Sequence, residues 1–214
     1  MTDQTPLRVA FVPGVTIRKW TTRWQERHPG HPLEVLPTDA DDGVRAVRDS
    51  EADVSFVRLP IERDELSVIR LYGEAPVVVV SRDHPLADAE SVTLAQVAGA
   101  VENPTSVKDA VALVAAGVGS LRLPHSLARL HARKDVVALP VTDAPETDIA
   151  IVWLTDATTP EIEEFVGIVR GRTAASSRAN PTPATPKKVP QKKAAVRTQK
   201  PARKKPQQRR RQGR

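Results

Sequence analysis

The sequence predicts an α/β protein, with short buried strands alternating with helices, followed by a basic tail of a different kind. Three observations carry this. In Val114–Leu130, VAAGVGSLRLPHSLARL, an Ala-rich helix end runs into Gly117-Val118-Gly119, a β-type run follows at Ser120–Leu123, and Pro124 opens a helix with Leu127 and Leu130 on one face. Gly stops a helix because it enters the left-handed region freely, and Pro suits the first helical turn. Helix, tight turn, strand and helix in such a short span is the grammar of helices around a shared sheet. Second, Pro76–Ser81 is nearly continuous valine, as expected of a strand buried on both faces. Third, the apolar patterning stops at Thr173.

Taken in order, Leu7–Val12 alternates and is apolar or β-branched, a first strand. Pro13-Gly14 breaks it, and Thr16 stands where an N-cap is expected for a helix reaching about Arg27. Ile17, Trp20 and Trp24 fall at helical spacing there, with Arg18, Lys19, Arg23 and Arg27 elsewhere, so the helix is amphipathic. Pro29-Gly30 ends it and Leu33–Leu36 is a second strand. Asp41–Arg48 reads as a short helix with Val44 and Val47 inward, and Asp53–Val57 as a third strand ending at Arg58-Leu59-Pro60. Ser67–Tyr72 and Pro76–Ser81 are further strands. His84-Pro85-Leu86-Ala87 leads to a helix at Thr93–Ala98 with a Thr-x-x-Gln capping pattern. Ala100–Glu102 is short and extended, and Asn103-Pro104-Thr105-Ser106 turns into a helix at Val107–Ala116. Val136–Pro140 and Asp148–Trp153 are the remaining strands. Thr159-Pro160-Glu161 caps a last helix with Ile162, Phe165, Val166 and Val169 as its apolar stripe, closed by Gly171.

Composition narrows the function classes. The chain of 214 residues has no cysteine, which excludes disulfides, thiolate metal sites and cysteine nucleophiles. The start MTDQTPLRV lacks a charged-then-apolar signal region, and no apolar run approaches the ~18–20 residues of a membrane span, so a cytoplasmic protein with no membrane partner is expected. The net charge of +6 hides an asymmetry. Residues 1–172 hold 18 Lys and Arg against 26 Asp and Glu, a balance of −8, whereas residues 173–214 hold 14 Lys and Arg and no acid. The tail also has six prolines and few large apolar residues. Such a segment cannot bury enough surface to offset its ordering entropy and is expected to be disordered.

The runs LRVAFVPG, ADVSFVRLP, APVVVVSRDHPLA, VTLAQVAG, VAAGVGSLRLPHSLARL, VVALPV and IAIVWLTD occur in that order over about residues 7–170. Together they resemble the substrate-binding (effector-binding) domain of LysR-type transcriptional regulators. The resemblance implies a type II periplasmic-binding-protein fold: two small α/β subdomains joined by two crossovers, with an effector cleft between them. On this reading residues 1–172 are the domain, subdomain I being 7–81 with 147–172 and subdomain II 82–146. The crossings are then expected near Val80–Ser81 and Val141–Glu146. Two departures stand out. The chain starts at the domain's first strand, so the family's N-terminal winged helix-turn-helix and linker helix are expected to be missing. Only about thirty residues separate HPLA from GVG, where the family has more than twice that, so subdomain II is shortened by an αβα piece of one cleft wall.

In open α/β sheets ligands sit beyond the carboxyl ends of strands, where helix N-termini present free N–H groups. Three places here fit: the loop with Gly14 and Thr16, the loop with Asn103, Thr105 and Ser106, and Arg58 at the end of the third strand. The resemblance places these loops around the family's effector site, which often takes small carboxylates. Gly14, Thr16, Arg58, Asn103, Thr105 and Ser106 are therefore the candidate ligand residues. The plainer alternative is that Thr16 and Thr105 are only N-caps and Arg58 a surface charge.

Catalytic signatures are lacking. There is no G-x-S-x-G, G-x-x-x-x-G-K-[ST] or H-E-x-x-H pattern. His28, His31, His84, His125 and His131 show no metal-ligand spacing. Acid pairs such as Asp41-Asp42 and Glu163-Glu164 are consecutive and do not face each other. Enzymes of the related fold carry a cofactor-bearing cysteine (porphobilinogen deaminase type) or a Thr-Arg-Phe motif (prephenate dehydratase type), and neither is present. No enzyme, cofactor or metal is expected.

The tail residues Lys187, Lys188, Lys192, Lys193, Lys200, Arg203, Lys204, Lys205, Arg209, Arg210, Arg211 and Arg214 are interleaved with Pro, Ala and Gln. This composition suits sequence-independent contact with the DNA or RNA backbone. With no aromatic residue in the tail, base stacking is not expected. A solubilising role, or docking on the acidic body, would use the same charges. The sequence thus supports two readings from different classes. One is a non-enzymatic LysR-like regulator that senses a small effector, a carboxylate among the candidates, and touches nucleic acid through its tail. The other is a protein-interaction scaffold with a degenerate cleft. The family pairs through this domain, so a homodimer is expected on either.

Overall fold

The valine run at Pro76–Ser81 and the alternating strands before it each need apolar cover on both faces, and the chain meets that need with two sheets. A computed structural model describes residues 5–97, 99, 101 and 106–171. The first sheet is built from β1 (Leu7–Phe11), β2 (Leu33–Pro37), β3 (Val54–Arg58), β4 (Leu66–Glu74) and β8 (Thr147–Leu154), in the order β2-β1-β3-β8-β4. β1 runs parallel to β2 and β3, while β8 is antiparallel to β3 and β4.

Helices α1 (Arg18–Arg27) and α5 (Pro160–Val169) cover one face and α2 (Asp42–Arg48) the other. On the first face Val9, Phe56, Ile149 and Ile151 meet Trp20 and Trp24 of α1 and Phe165 of α5, all buried. Trp20 stacks on Phe56 with ring centroids 4.8 Å apart, and Phe165 meets both Trp24 and Phe56 edge-on. Burying such rings supplies a large share of a small core's stabilisation. On the second face Ala10, Val57, Ala150 and Val152 pack with Ala46 and Val47 of α2.

The second sheet has β5 (Pro76–Ser81) at its centre, antiparallel to both β6 (Leu121–Pro124) and β7 (Val136–Pro140). Val77 and Val79 face α3 (Val107–Ala115) and α4 (His125–Leu130), while Val78 and Val80 meet Val92, Leu139 and Val141. The expected crossing near Val80–Ser81 is therefore corrected: β5 belongs to the second sheet, and the chain passes between sheets at Ala75. One residue is too few to turn a hairpin back onto β4, so the strand runs straight on. The return passes through residues 141–146 into β8.

Three local expectations change. Thr16 is not an N-cap: Ile17 holds that position, no side chain caps α1, and Thr16 is exposed. Val15 and Ile17 are both buried, and this alternation turns Thr16 outward. The helix expected at Thr93–Ala98 is a single 3-10 turn, Leu94–Gln96, with its capping box formed. In α4, Leu127 and Ala128 face the core, but Leu130, the last residue of that helix, is 55% exposed. Among the described residues no helix is long and apolar enough to cross a membrane.

Candidate functional site

Arg58 is the last residue of β3 and Glu74 the last of β4, two strands separated by β8. In the register of the sheet, Ile149 of β8 lies opposite both Arg58 and Tyr72, so the Arg58 side chain reaches across β8 to meet the end of β4. Its Nε donates to Glu74 Oε2 at 2.9 Å, with the two side chains 14% and 5% exposed. Burial of an ion pair is tolerated when the geometry is good and further hydrogen bonds satisfy the remaining groups. One such bond crosses between the sheets: Arg58 Nη2 donates to Ser126 Oγ, on α4, at 3.0 Å. The third guanidinium nitrogen, Nη1, is buried and has no partner.

Gly14, in the loop after β1, closes this cluster from a third side. Its φ is +86°, and a Cβ there would lie 2.7 Å from Ser126 Oγ and 3.0 Å from Arg58 Nη2. Only glycine meets both the left-handed backbone and the close approach. The His125 N–H donates to the Ala75 carbonyl at 2.9 Å, tying the start of α4 to the crossing between the sheets. Tyr72 stands two residues before Glu74 on β4. Burial raises its phenol pKa, and the Glu74 charge adds to this while Arg58 opposes it. The phenol thus stays neutral at physiological pH.

Beside the cluster a cavity of about 260 Å³ lies where Leu59 and Pro60 of the first sheet's rim meet Pro76, Arg122, Leu123 and Pro124 of the second sheet and Ala144–Thr147 of the return crossing. The return connection contributes Ala144, Pro145 and Glu146 to its wall, and Pro76 directly follows the Ala75 crossing. Among the described residues a larger hollow, about 520 Å³, lies at the start of β1 and holds none of the predicted ligand residues. Its arginine is committed: Arg8 donates to Asp53 Oδ1 at 2.8 Å and to the Ser50 carbonyl at 2.6 Å. The junction is the better candidate, because among the described residues Arg58 Nη1 is a buried donor that lacks a partner, and Arg58 stands beside both sheets.

Of the six residues singled out in the sequence, the fold brings Gly14 and Arg58 together. Thr16 is exposed and makes no described hydrogen bond to the cluster. The Ser106 hydroxyl is spent on capping α3, accepting from the Asp109 N–H at 3.1 Å and donating to the Asp109 carboxylate at 2.8 Å. Asn103 and Thr105 lie outside the described residues, as do the tail lysines and arginines from Lys187 to Arg214. Sequence reasoning missed Glu74, Ser126 and Tyr72. The one available signal was a carboxylate at the end of the β4 strand, just before the buried valine run.

The LysR substrate binding domain family matches residues 2–101. The HTH-type transcriptional regulator BudR of Raoultella terrigena is 25% identical over 184 residues, covering 67% of this chain and 63% of that protein. The Hca operon transcriptional activator HcaR of Escherichia coli strain K12 is 22% identical over 201 residues, covering 78% of this chain and 68% of that protein. The chain thus spans about two thirds of the length of these relatives. Among solved structures, the BenM effector binding domain with its effector benzoate has the same fold, with a TM-score of 0.64 at 19% identity, covering 85% of this chain and 97% of that one. The two-sheet α/β architecture is therefore the type II periplasmic-binding-protein-like fold of LysR effector-binding domains. Residues 2–101 thus match the LysR substrate binding domain family, and the strands and helices that follow complete the fold of the solved LysR effector-binding domains.

Proposed function

We propose that this chain is a non-enzymatic transcriptional regulator that senses a small effector at the junction between its two sheets. The observation that carries the reading is Arg58 at the carboxyl end of a central strand: its Nη1 is a buried donor without a partner, while its Nη2 lies beside Gly14. Ligands of open α/β sheets are held in such a place. The effector presents an acceptor oxygen to Nη1, as either a carboxylate or a neutral carbonyl does. The relatives named as transcriptional regulators support the biological setting.

On this reading the protein works in the cytoplasm as a homodimer, with residues 1–172 as the sensing body divided between the two sheets. The tail's 14 positive charges engage the DNA or RNA backbone. If about half of them meet phosphates, log K falls with log salt at a slope of roughly −6. The test is duplex binding by the full chain and by a chain truncated after Arg172, across a salt series. Steep salt dependence in the full chain, lost on truncation, is the expected result; no binding by either removes the nucleic-acid half of the proposal.

A second reading rests on the same residues. Arg58 already holds Glu74 and Ser126, which closes the junction without a ligand, as a scaffold with a degenerate cleft would. A screen of small molecules by thermal melting separates the two, since a scaffold shows no shift that depends on Arg58.

A further inference from the structure

We infer that Glu74 is the specificity-determining residue of the junction and that it selects uncharged ligands bearing a carbonyl, such as primary amides, over the matching carboxylates. This rests on the effector reading above and deepens it.

The argument starts from how the guanidinium is used. Its Nε donates to Glu74 and its Nη2 to Ser126, so one edge of the fork is filled, and Nη1 is the donor left over. An acceptor oxygen placed at Nη1 gains a hydrogen bond from a charged donor, a stronger class than one between neutral groups. A neutral carbonyl brings nothing to offset this. A carboxylate brings a second negative charge to a cation that Glu74 already neutralises at 2.9 Å. Its attraction to Arg58 is then opposed by repulsion from Glu74, while the cost of stripping its hydration stays whole.

Glu74 cannot relieve that conflict by swinging into solvent. Its side chain is 5% exposed and sits at the end of a strand paired with β8. The described lining of the adjacent cavity adds no net positive charge to help. The adjacent cavity carries one cation and one anion, Arg122 and Glu146, and Tyr72 keeps its phenol neutral. The junction is a polar site whose fixed charges cancel, and such a site discriminates against ions. Specificity then comes from which groups are left unpaired and which charges face each other.

The test uses the full chain and matched acid–amide pairs: acetate with acetamide, benzoate with benzamide, nicotinate with nicotinamide. Binding is read from NMR shifts of the Gly14 amide and the Arg58 Nε–H, so that anions held by the basic tail do not count. In the wild type the amide of at least one pair is expected to titrate these resonances at tenfold lower concentration than its acid. Glu74→Gln keeps an acceptor for Arg58 Nε and removes the charge; it is expected to bring the acid to parity or beyond. Should the variant fail to fold, the wild-type comparison alone decides. Acids that bind the wild-type junction as well as or better than their amides overturn the inference and leave the effector reading standing. An unchanged preference in Glu74→Gln also overturns it. If no member of any pair moves either resonance in any form, the effector reading of the junction falls and the inference with it.

Discussion

The Arg58 guanidinium and the Glu74 carboxylate meet at 2.9 Å across an intervening strand, both almost out of solvent. Neither charge has a comparable partner elsewhere among the described ion pairs. Removing one therefore strands the other, and the cost is that of an uncompensated buried charge, about 3–5 kcal/mol. Arg58→Met and Glu74→Leu should each lower the urea-unfolding free energy by that order. The double variant should lose much less than the sum, because both charges leave together. Additive losses would mean that the two groups do not act as a pair.

The close approach of Gly14 yields a second prediction. At φ +86°, with Ser126 Oγ 2.7 Å from where a Cβ would stand, Gly14→Ala meets both backbone strain and a clash. Its cost should exceed the roughly 1 kcal/mol that bounds a compatible Gly-to-Ala change. Hydrogen exchange in α4 should accelerate more than in α2, since the displaced groups are Arg58 and Ser126. Gly30, where a Cβ would meet nothing within 4 Å, is the matching control.

Acid should weaken the fold through carboxylates whose pKa is held low. The hydrogen bond from Arg70 holds the Asp148 carboxyl below its usual range, the Arg70 charge helps, and partial burial opposes them. A group with a depressed folded pKa binds fewer protons folded than unfolded. Its contribution is thus present above the unfolded value of about 3.9 and is lost as pH falls through the lower folded value. Urea midpoints should hold steady at mildly acidic pH and drop below about pH 4. In Asp148→Asn the drop should be shallower. An unchanged acid limb would assign the effect to Asp135 beside Arg133, or to Glu161 at the start of α5.

Apart from the helix expected at Thr93–Ala98, which is a single 3-10 turn, the elements were legible in the sequence, because each rests on a local signal. Ile17, Trp20 and Trp24 mark the inner face of α1, and all three are buried. Thr159-Pro160 starts α5 as written, and Val77–Val80 is a buried strand. Which sheet that strand joins was not legible, because valines bury equally well in either. The site was half legible for a similar reason. Gly14 and Arg58 announce themselves at the ends of strands, but Glu74 is sixteen residues from Arg58 in the chain and Ser126 sixty-eight. Only the insertion of β8 between β3 and β4, and the folding of the second sheet over the first, bring those partners in. Tertiary contacts of that kind leave no periodic trace.

Two threonines that look alike in sequence should behave differently. Thr16 and Thr159 each precede a helix, and N-cap threonines typically contribute about 0.5–2 kcal/mol through a hydrogen bond to the first turn. Thr159 makes that bond, its Oγ1 accepting from the Ile162 N–H at 3.3 Å, with extended backbone at φ −111° and ψ 164°. Thr16 does not: α1 starts one residue later, on Ile17 in helical geometry with no side-chain cap. Thr159→Ala should therefore cost about 1 kcal/mol, whereas Thr16→Ala should fall within the roughly ±0.5 kcal/mol of ordinary surface changes. Paired urea denaturation of the two variants checks this. A loss in Thr16→Ala equal to that in Thr159→Ala would show that the loop after β1 caps α1 in solution, and would return Thr16 to the rim of the Arg58 site.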